Sequence, residues 1–166
     1  MDDFAGFGME VARDAGRLLL QGLETGFRVS RKGVVDLVTE VDVASERLIV
    51  SRIREAFPTH RILAEENHRD DSGDGYKWII DPLDGTTNYS HRYPVFSVSI
   101  ALEFKGEVQW GAVFDPLRDE MFSARKGGGA FCNGAPIHVS ATESLVASLL
   151  ATGFPYDVWN TEFDNF

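Results

Sequence analysis

Near the middle of the chain, Asp81-Pro-Leu-Asp84-Gly-Thr-Thr-Asn88 places two carboxylates three positions apart, with the Leu83 carbonyl between them. The apolar run Trp78-Ile-Ile80 reads as a strand that delivers Asp81 at its C-terminal end. Pro82 holds Asp81 extended and fixes its own φ, so a turn at Leu83 can bring Asp84 to the same side. Carboxylate and carbonyl oxygens in such a cluster are hard ligands of the kind Mg2+ takes. Gly85-Thr86-Thr87 follows at once and could open a short helix reaching Tyr89–Arg92, whose first backbone N–H groups would favour a phosphate. Metal ligands beside anion-binding amides are what hydrolysis of a phosphate ester requires: the ion offsets charge and activates water, and the amides hold the phosphoryl oxygens. The plainer reading is a Pro-Leu-Asp-Gly turn after a strand, with Asp84 capping a helix.

Other acidic positions bear on that choice. Glu65-Glu66 follows the short apolar run Arg61–Ala64, and Asp42 stands behind Thr39-Glu40 at the start of a helical pattern. Each lies at the end of an element that could converge on the Asp81 turn. Taken singly, Asp42 also reads as a helix N-cap and Glu65-Glu66 as a solvated pair. The four histidines, His60, His68, His91 and His138, lack metal-ligand spacing and read as surface or structural residues. Cys132 sits in an apolar strand, where packing is its expected role. Gly127-Gly-Gly129 opens onto Ala-Phe-Cys rather than a helix, so it reads as a bend and not a phosphate loop. Ser97 and Ser99 belong to an alternating strand and lack a nucleophile elbow.

The elements that must position these groups follow from periodicity. Residues 2–25 predict an amphipathic helix with Phe4, Val11, Ala15, Leu18 and Leu19 near one stripe, stopped at Gly26. Asp36–Thr39 predicts a short strand. Residues 41–57 predict a second helix, with Val41, Ala44, Leu48, Ile53 and Phe57 on one face and Pro58 ending it. Arg61–Ala64 and Lys77–Ile80 are short strands around a polar loop at Asn67–Gly75. Residues 96–104 alternate through Phe96, Val98, Ile100, Leu102 and Phe104, and Val108, Trp110, Ala112 and Phe114 alternate again after Lys105-Gly106. These two strands are expected to pair antiparallel. Glu120–Ser123, Ala130–Cys132 and Leu149–Thr152 complete the expected strands. The order predicts an α+β fold, helices layered on a largely antiparallel sheet. Repeats, low-complexity tracts and linkers are absent. After Gly153 the chain carries Phe154, Tyr156, Val158, Trp159, Phe163 and Phe166, much apolar surface for a terminus, and it reads as cut short.

Composition narrows the function classes. The 166 residues are 43% hydrophobic and 25% charged, an ordinary globular balance for one domain. Sixteen basic against 26 acidic residues give a net charge of -10, which argues against nucleic acid or an anionic membrane as partner. A single cysteine excludes an internal disulfide and a cysteine-based zinc site, and fits a reducing cytoplasm. There is no apolar run of roughly 18 residues and no signal-peptide pattern at the start.

Four blocks then carry a resemblance: Asp36-Leu-Val-Thr-Glu-Val-Asp42, Ala64-Glu-Glu66, Trp78–Asn88 and Arg125-Lys-Gly-Gly-Gly-Ala-Phe-Cys-Asn-Gly134. In order and spacing the chain resembles the inositol monophosphatase family, Mg2+-dependent members of the lithium-sensitive sugar phosphatase superfamily. The resemblance implies the N-terminal part of the layered α/β/α/β/α fold shared with fructose bisphosphatase, so that residues 1–166 form the N-terminal part of a single catalytic domain. It implies metal ligation by Glu65, Asp81, the Leu83 carbonyl and Asp84. It implies contact of Asp84, Gly85 and Thr86 with the substrate phosphate. Thr86, polarised by Asp42, would with Glu65 orient the attacking water. Lys32 occupies the family's basic position near the start of the pattern, where a solvated lysine is the other reading. Ala64 stands where the family usually has Gly. The family's second signature, a Trp-Asp-x-Ala-Ala-Gly-like segment with a further ligating Asp, is absent. The expected function is hydrolysis of a small phosphate monoester, such as inositol monophosphate, by metal-activated water, in a homodimer as the family tends to form. The alternative is a non-catalytic fragment or pseudoenzyme that keeps a cation site and binds partners.

Overall fold

The computed structural model describes residues 4–31, 37–65, 69–70 and 75–151. Helix α1 spans Phe4–Thr25 and buries Gly8, Val11, Ala12, Ala15, Gly16, Leu19 and Gly22. Three of these are glycines for want of room. A Cβ at Gly8 would stand 2.4 Å from the Trp110 ring, one at Gly16 2.5 Å from Phe114, and one at Gly22 2.5 Å from the Tyr89 hydroxyl. The helix backbone therefore rests directly on large aromatic side chains. It stops where expected, at Gly26 with φ 87°, whose N–H bonds Gly22 O at 2.9 Å.

Strands β1 (Val29–Arg31) and β2 (Leu37–Thr39) form a small antiparallel ribbon. Helix α2, Glu40–Ala56, begins at Thr39 with a capping box: the Thr39 hydroxyl accepts from the Val41 and Asp42 amides, and the Asp42 carboxylate accepts from the Thr39 amide. Asp42 is thus the third residue of the helix rather than its N-cap. The buried face comprises Val41, Asp42, Ser45, Glu46, Ile49 and Ile53. The apolar pattern alone pointed to Ala44 and Leu48, which are only half-buried. Polar residues that anchor neighbouring segments turn the helix slightly from its hydrophobic stripe.

The main sheet has eight strands in the order β10-β9-β8-β7-β6-β5-β3-β4. They are β3 (Arg61–Ala64), β4 (Arg69–Asp70), β5 (Tyr76–Asp84), β6 (Ser97–Phe104), β7 (Glu107–Asp115), β8 (Glu120–Arg125), β9 (Gly129–Cys132) and β10 (Ala135–Ile137). Every pairing is antiparallel except β3 with β5. The α+β expectation of helices on a largely antiparallel sheet holds, as does the pairing of β6 with β7. Helix α1 lies against β6 and β7, and α2 against β5. Between them lie Trp78, Ile80, Val98, Ile100, Leu102, Trp110, Ala112, Phe114 and Met121, all buried. His60 joins this core with its Nδ1 accepting from Trp78 Nε1 at 3.0 Å, a structural role. The opposite face, around Ala101, Gly111, Val113, Phe122 and Ala124, bounds an open hollow of about 460 Å³.

Several expectations need correction. Residues 149–151 form no strand, and Leu149 and Leu150 stand 101% and 71% exposed. An apolar run becomes a strand only beside a partner ladder, and none of the described strands offers one here. Residue 152 lies outside the described residues, as do residues 2 and 3 of the expected first helix. Strand β10 was not foreseen, although Asn133-Gly134, at φ 49° and 80°, is the two-residue turn that joins it to β9. Strands β1 and β4 were likewise unforeseen, β4 falling within the expected loop Asn67–Gly75, and β5 runs beyond Ile80 to Asp84. No described helix is long and apolar enough to cross a membrane.

Candidate metal and phosphate site

The last residues of β5 leave the regular ladder. Asp81 faces Ser99 and Asp84 faces Ser97, so the register with β6 shifts across Pro82 and Leu83. Such a bulge re-aims side chains: Leu83 is buried, at 2% exposure, while Asp84 turns out to solvent. The Leu83 N–H donates to Asp81 Oδ1 at 3.1 Å, which ties the first carboxylate to the bulge. Gly85 follows at φ 91°, and a Cβ there would meet Val95 O at 3.1 Å, so both conformation and space call for glycine. Helix α3 then covers Thr86–Ser90. It is a single turn, shorter than the expected run to Arg92, so its dipole is slight.

Glu65 arrives from the neighbouring strand. Because β3 runs parallel to β5 with Ala64 opposite Ile80, the residue after β3 falls beside Asp81. The Glu65 N–H bonds Ile80 O at 3.2 Å. Glu65, Asp81, Leu83, Asp84, Gly85, Thr86 and Thr87 line one pocket of about 150 Å³, together with Leu37. Burial pushes the Asp81 carboxyl up to about 7; the negative charges of Glu65 and Asp84 and a hydrogen bond with Glu65 add to this, while the Leu83 N–H opposes it. A part-buried carboxyl crowded by two further carboxylates makes a site short of positive charge. None of the described residues lining the pocket is basic.

Asp42 reaches the same place from the helical layer. It is 1% exposed; Oδ2 accepts from Thr39, and Oδ1 accepts from the Thr86 hydroxyl at 2.9 Å. The Thr86 Oγ1 also lies 3.1 Å from Leu83 O. One carboxylate thus closes the capping box from the third helical position and also grips Thr86; the N-cap expected at Asp42 is Thr39 instead. The structure brings together Asp42, Glu65, Asp81, Leu83, Asp84, Gly85 and Thr86. Lys32 and Glu66 lie outside the described residues.

The donor set is all oxygen and strongly acidic, which fits Mg2+ or a similar hard cation rather than a soft metal. Among the described residues, no three His, Cys, Asp or Glu side chains already stand as a finished ion cage. Glu65 is exposed and turned onto Asp81 instead. Sequence reasoning missed three contributors. Ser45, fully buried, donates to Pro82 O at 2.9 Å; Ser97 Oγ lies 3.4 Å from Asp84 Oδ2; Thr39 holds Asp42. A signal existed for Thr39 in the capping-box spacing Thr-x-x-Asp, which the N-cap reading of Asp42 passes over.

The family model described as "Inositol monophosphatase family" matches residues 1–164. The chain is 45% identical over 161 residues to "Nus factor SuhB" of Pseudomonas aeruginosa, covering 94% of this chain and 59% of that protein. It is 42% identical over 157 residues to "Inositol monophosphatase 2" of Solanum lycopersicum, covering 92% and 59%. The solved structure of inositol monophosphatase from Anabaena (Nostoc) sp. PCC 7120 superposes with a TM-score of 0.82 at 44% identity, covering 95% of this chain and 57% of that one. The chain therefore spans about three fifths of the length of these relatives. With the match running through all four sequence blocks and the fold alike, the chain belongs to the inositol monophosphatase family.

Proposed function

We propose that this chain carries the metal and phosphate half of a Mg2+-dependent phosphomonoesterase acting on a small phosphate ester such as inositol monophosphate. The observation that carries the reading is the convergence of three separate elements on one small pocket. Glu65, Asp81 and Asp84 pool negative charge there, and Asp42 grips Thr86 at its edge. Glu65, Asp81, the Leu83 carbonyl and Asp84 would hold Mg2+, which supplies charge neutralisation and an acidified water. Thr86 keeps its oxygen fixed between Asp42 and Leu83, so that it can orient a water without rearranging. Asp84, Gly85 and Thr86 form the wall against which the phosphate would rest.

We further infer that residues 1–166 are the N-terminal part of one catalytic domain, consistent with covering 59% of relatives that match along nearly the whole of this chain. The competing reading is a non-catalytic chain that keeps a cation site and binds partners. Similarity to proteins called Nus factor leaves the absence of a nucleic-acid partner resting on net charge alone. Phosphate release from a panel of inositol, sugar and nucleotide monophosphates, with Mg2+ and with EDTA, tests the reading. Mg2+-dependent release that is lost in Asp84→Asn is expected; release unaffected by EDTA would overturn it.

A further inference from the structure

The peptide joining Pro82 to Leu83 is held at both of its polar ends. Its carbonyl accepts from the Ser45 hydroxyl at 2.9 Å, and its N–H donates to Asp81 Oδ1 at 3.1 Å. A trans peptide is planar, with C=O and N–H pointing opposite ways, so fixing one end fixes the other. The sheet does little to hold this unit. Pro82 has no N–H to give, and both residues fall where the register slips between Asp81 opposite Ser99 and Asp84 opposite Ser97.

Ser45 is suited to supply what the ladder lacks. It is fully buried and lies on α2 three residues after Asp42, on the same face. That face presents two side chains to the bulge and the turn beyond it: Asp42 to Thr86, and Ser45 to Pro82. A serine inside a helix usually bonds back to the preceding turn or faces water. This one is committed to another element 37 positions away.

We propose that Ser45 is a positioning residue of the carboxylate pocket: its hydroxyl sets the plane of the Pro82–Leu83 peptide and so aims the Asp81 carboxylate. The inference rests on reading that pocket as a divalent-ion site. Ser45 touches neither ion nor substrate and acts through the backbone. Removing its hydroxyl leaves the buried carbonyl without a donor and frees the peptide to rotate, which withdraws the Leu83 N–H from Asp81.

The test uses the whole 166-residue chain and Mg2+ alone, by titration calorimetry, with thermal unfolding in EDTA as the structural readout. Ser45→Ala is compared with Ile53→Val, a change in the buried face of the same helix roughly 12 Å along its axis from Ser45. Loss of an outer partner of a metal ligand typically weakens binding by about tenfold or more. Ser45→Ala should show that loss, and Ser45→Cys, which nearly keeps the volume and a weak donor, should fall between it and wild type. Ile53→Val should lower the unfolding temperature while leaving Mg2+ affinity within about twofold of wild type. Unchanged affinity in Ser45→Ala, or equal weakening in Ile53→Val, overturns the inference while the ion-site reading stands. A wild-type chain that takes up no divalent ion overturns that reading, and this inference with it.

Discussion

Replacing Asp81 with asparagine should make the metal-free chain more stable at alkaline pH and no more stable in acid. Asp81 has a folded-state pKa of about 7 against an ordinary 3.8, raised by burial first and by Glu65 and Asp84 next. A carboxyl whose pKa is raised on folding keeps a proton that the unfolded chain gives up. Stability therefore declines as pH climbs from about 4 to about 7 and levels off above that. Taken at face value the difference is worth about 4 kcal/mol. Asp81 is only part-buried and shares its charge with exposed partners, so solvent screening brings a realistic figure to about 2 kcal/mol. Asparagine keeps the shape, cannot ionise and can donate to Glu65, so the variant escapes this cost. Urea unfolding in EDTA would read the difference: a gain of about 2 kcal/mol near pH 8 that shrinks toward zero near pH 4. Added Mg2+ should reverse the ranking, stabilising wild type and doing little for the variant. A gain that ignores pH, or a loss of stability near pH 8, would refute the reasoning, since neither can arise from relief of a strained carboxylate.

Other outcomes follow from the same geometry. Thr86→Ala removes the donor to Asp42 Oδ1, so kcat should fall about a hundredfold or more with little change in KM. An effect confined to KM would make Thr86 a phosphate contact instead. The same variant leaves a buried carboxylate oxygen short of a partner and should lose about 1–3 kcal/mol in urea unfolding. Gly16→Ala puts a methyl 2.5 Å from the Phe114 ring, and overpacking should outweigh the gain in helix propensity, for a net loss of about 1–2 kcal/mol. A more stable Gly16→Ala chain would mean that α1 can lift from the sheet without cost.

How far the sequence reached depends on the kind of constraint. The alternation of Val98, Ile100 and Leu102 against Trp110, Ala112 and Phe114 specified a strand pair, because one face of each strand is buried and any slip of one residue would expose it. The Asp81 turn was readable because Pro82 restricts the backbone locally and Gly85 permits the left-handed turn that follows. Convergence of Glu65 on Asp81 was not local: the element ends left it open, and it depends on β3 running parallel to β5, a pairing the periodicity does not specify. Ser45 lay beyond pattern reading altogether, since a serine within a helix gives no sign of which distant carbonyl it will meet. The glycines of α1 were equally silent until Trp110 and Phe114 were seen pressed against them. Leu149 and Leu150 show the opposite error, apolar residues read as a strand where the described fold gives them nothing to pair with.

The most direct test of the central claim is a calorimetric titration of Mg2+ into the wild-type chain and into Asp84→Asn. Asp84 lies on the exposed side of the bulge, lines the pocket with Glu65 and Asp81, and its hydrogen bond with Ser97 is long at 3.4 Å, so its replacement should spare the fold. One well-defined ion site in wild type, lost or severely weakened in the variant while unfolding in EDTA is unchanged or improved, is the result the account predicts. Equal Mg2+ affinity in the two proteins, or no uptake by wild type, would contradict it.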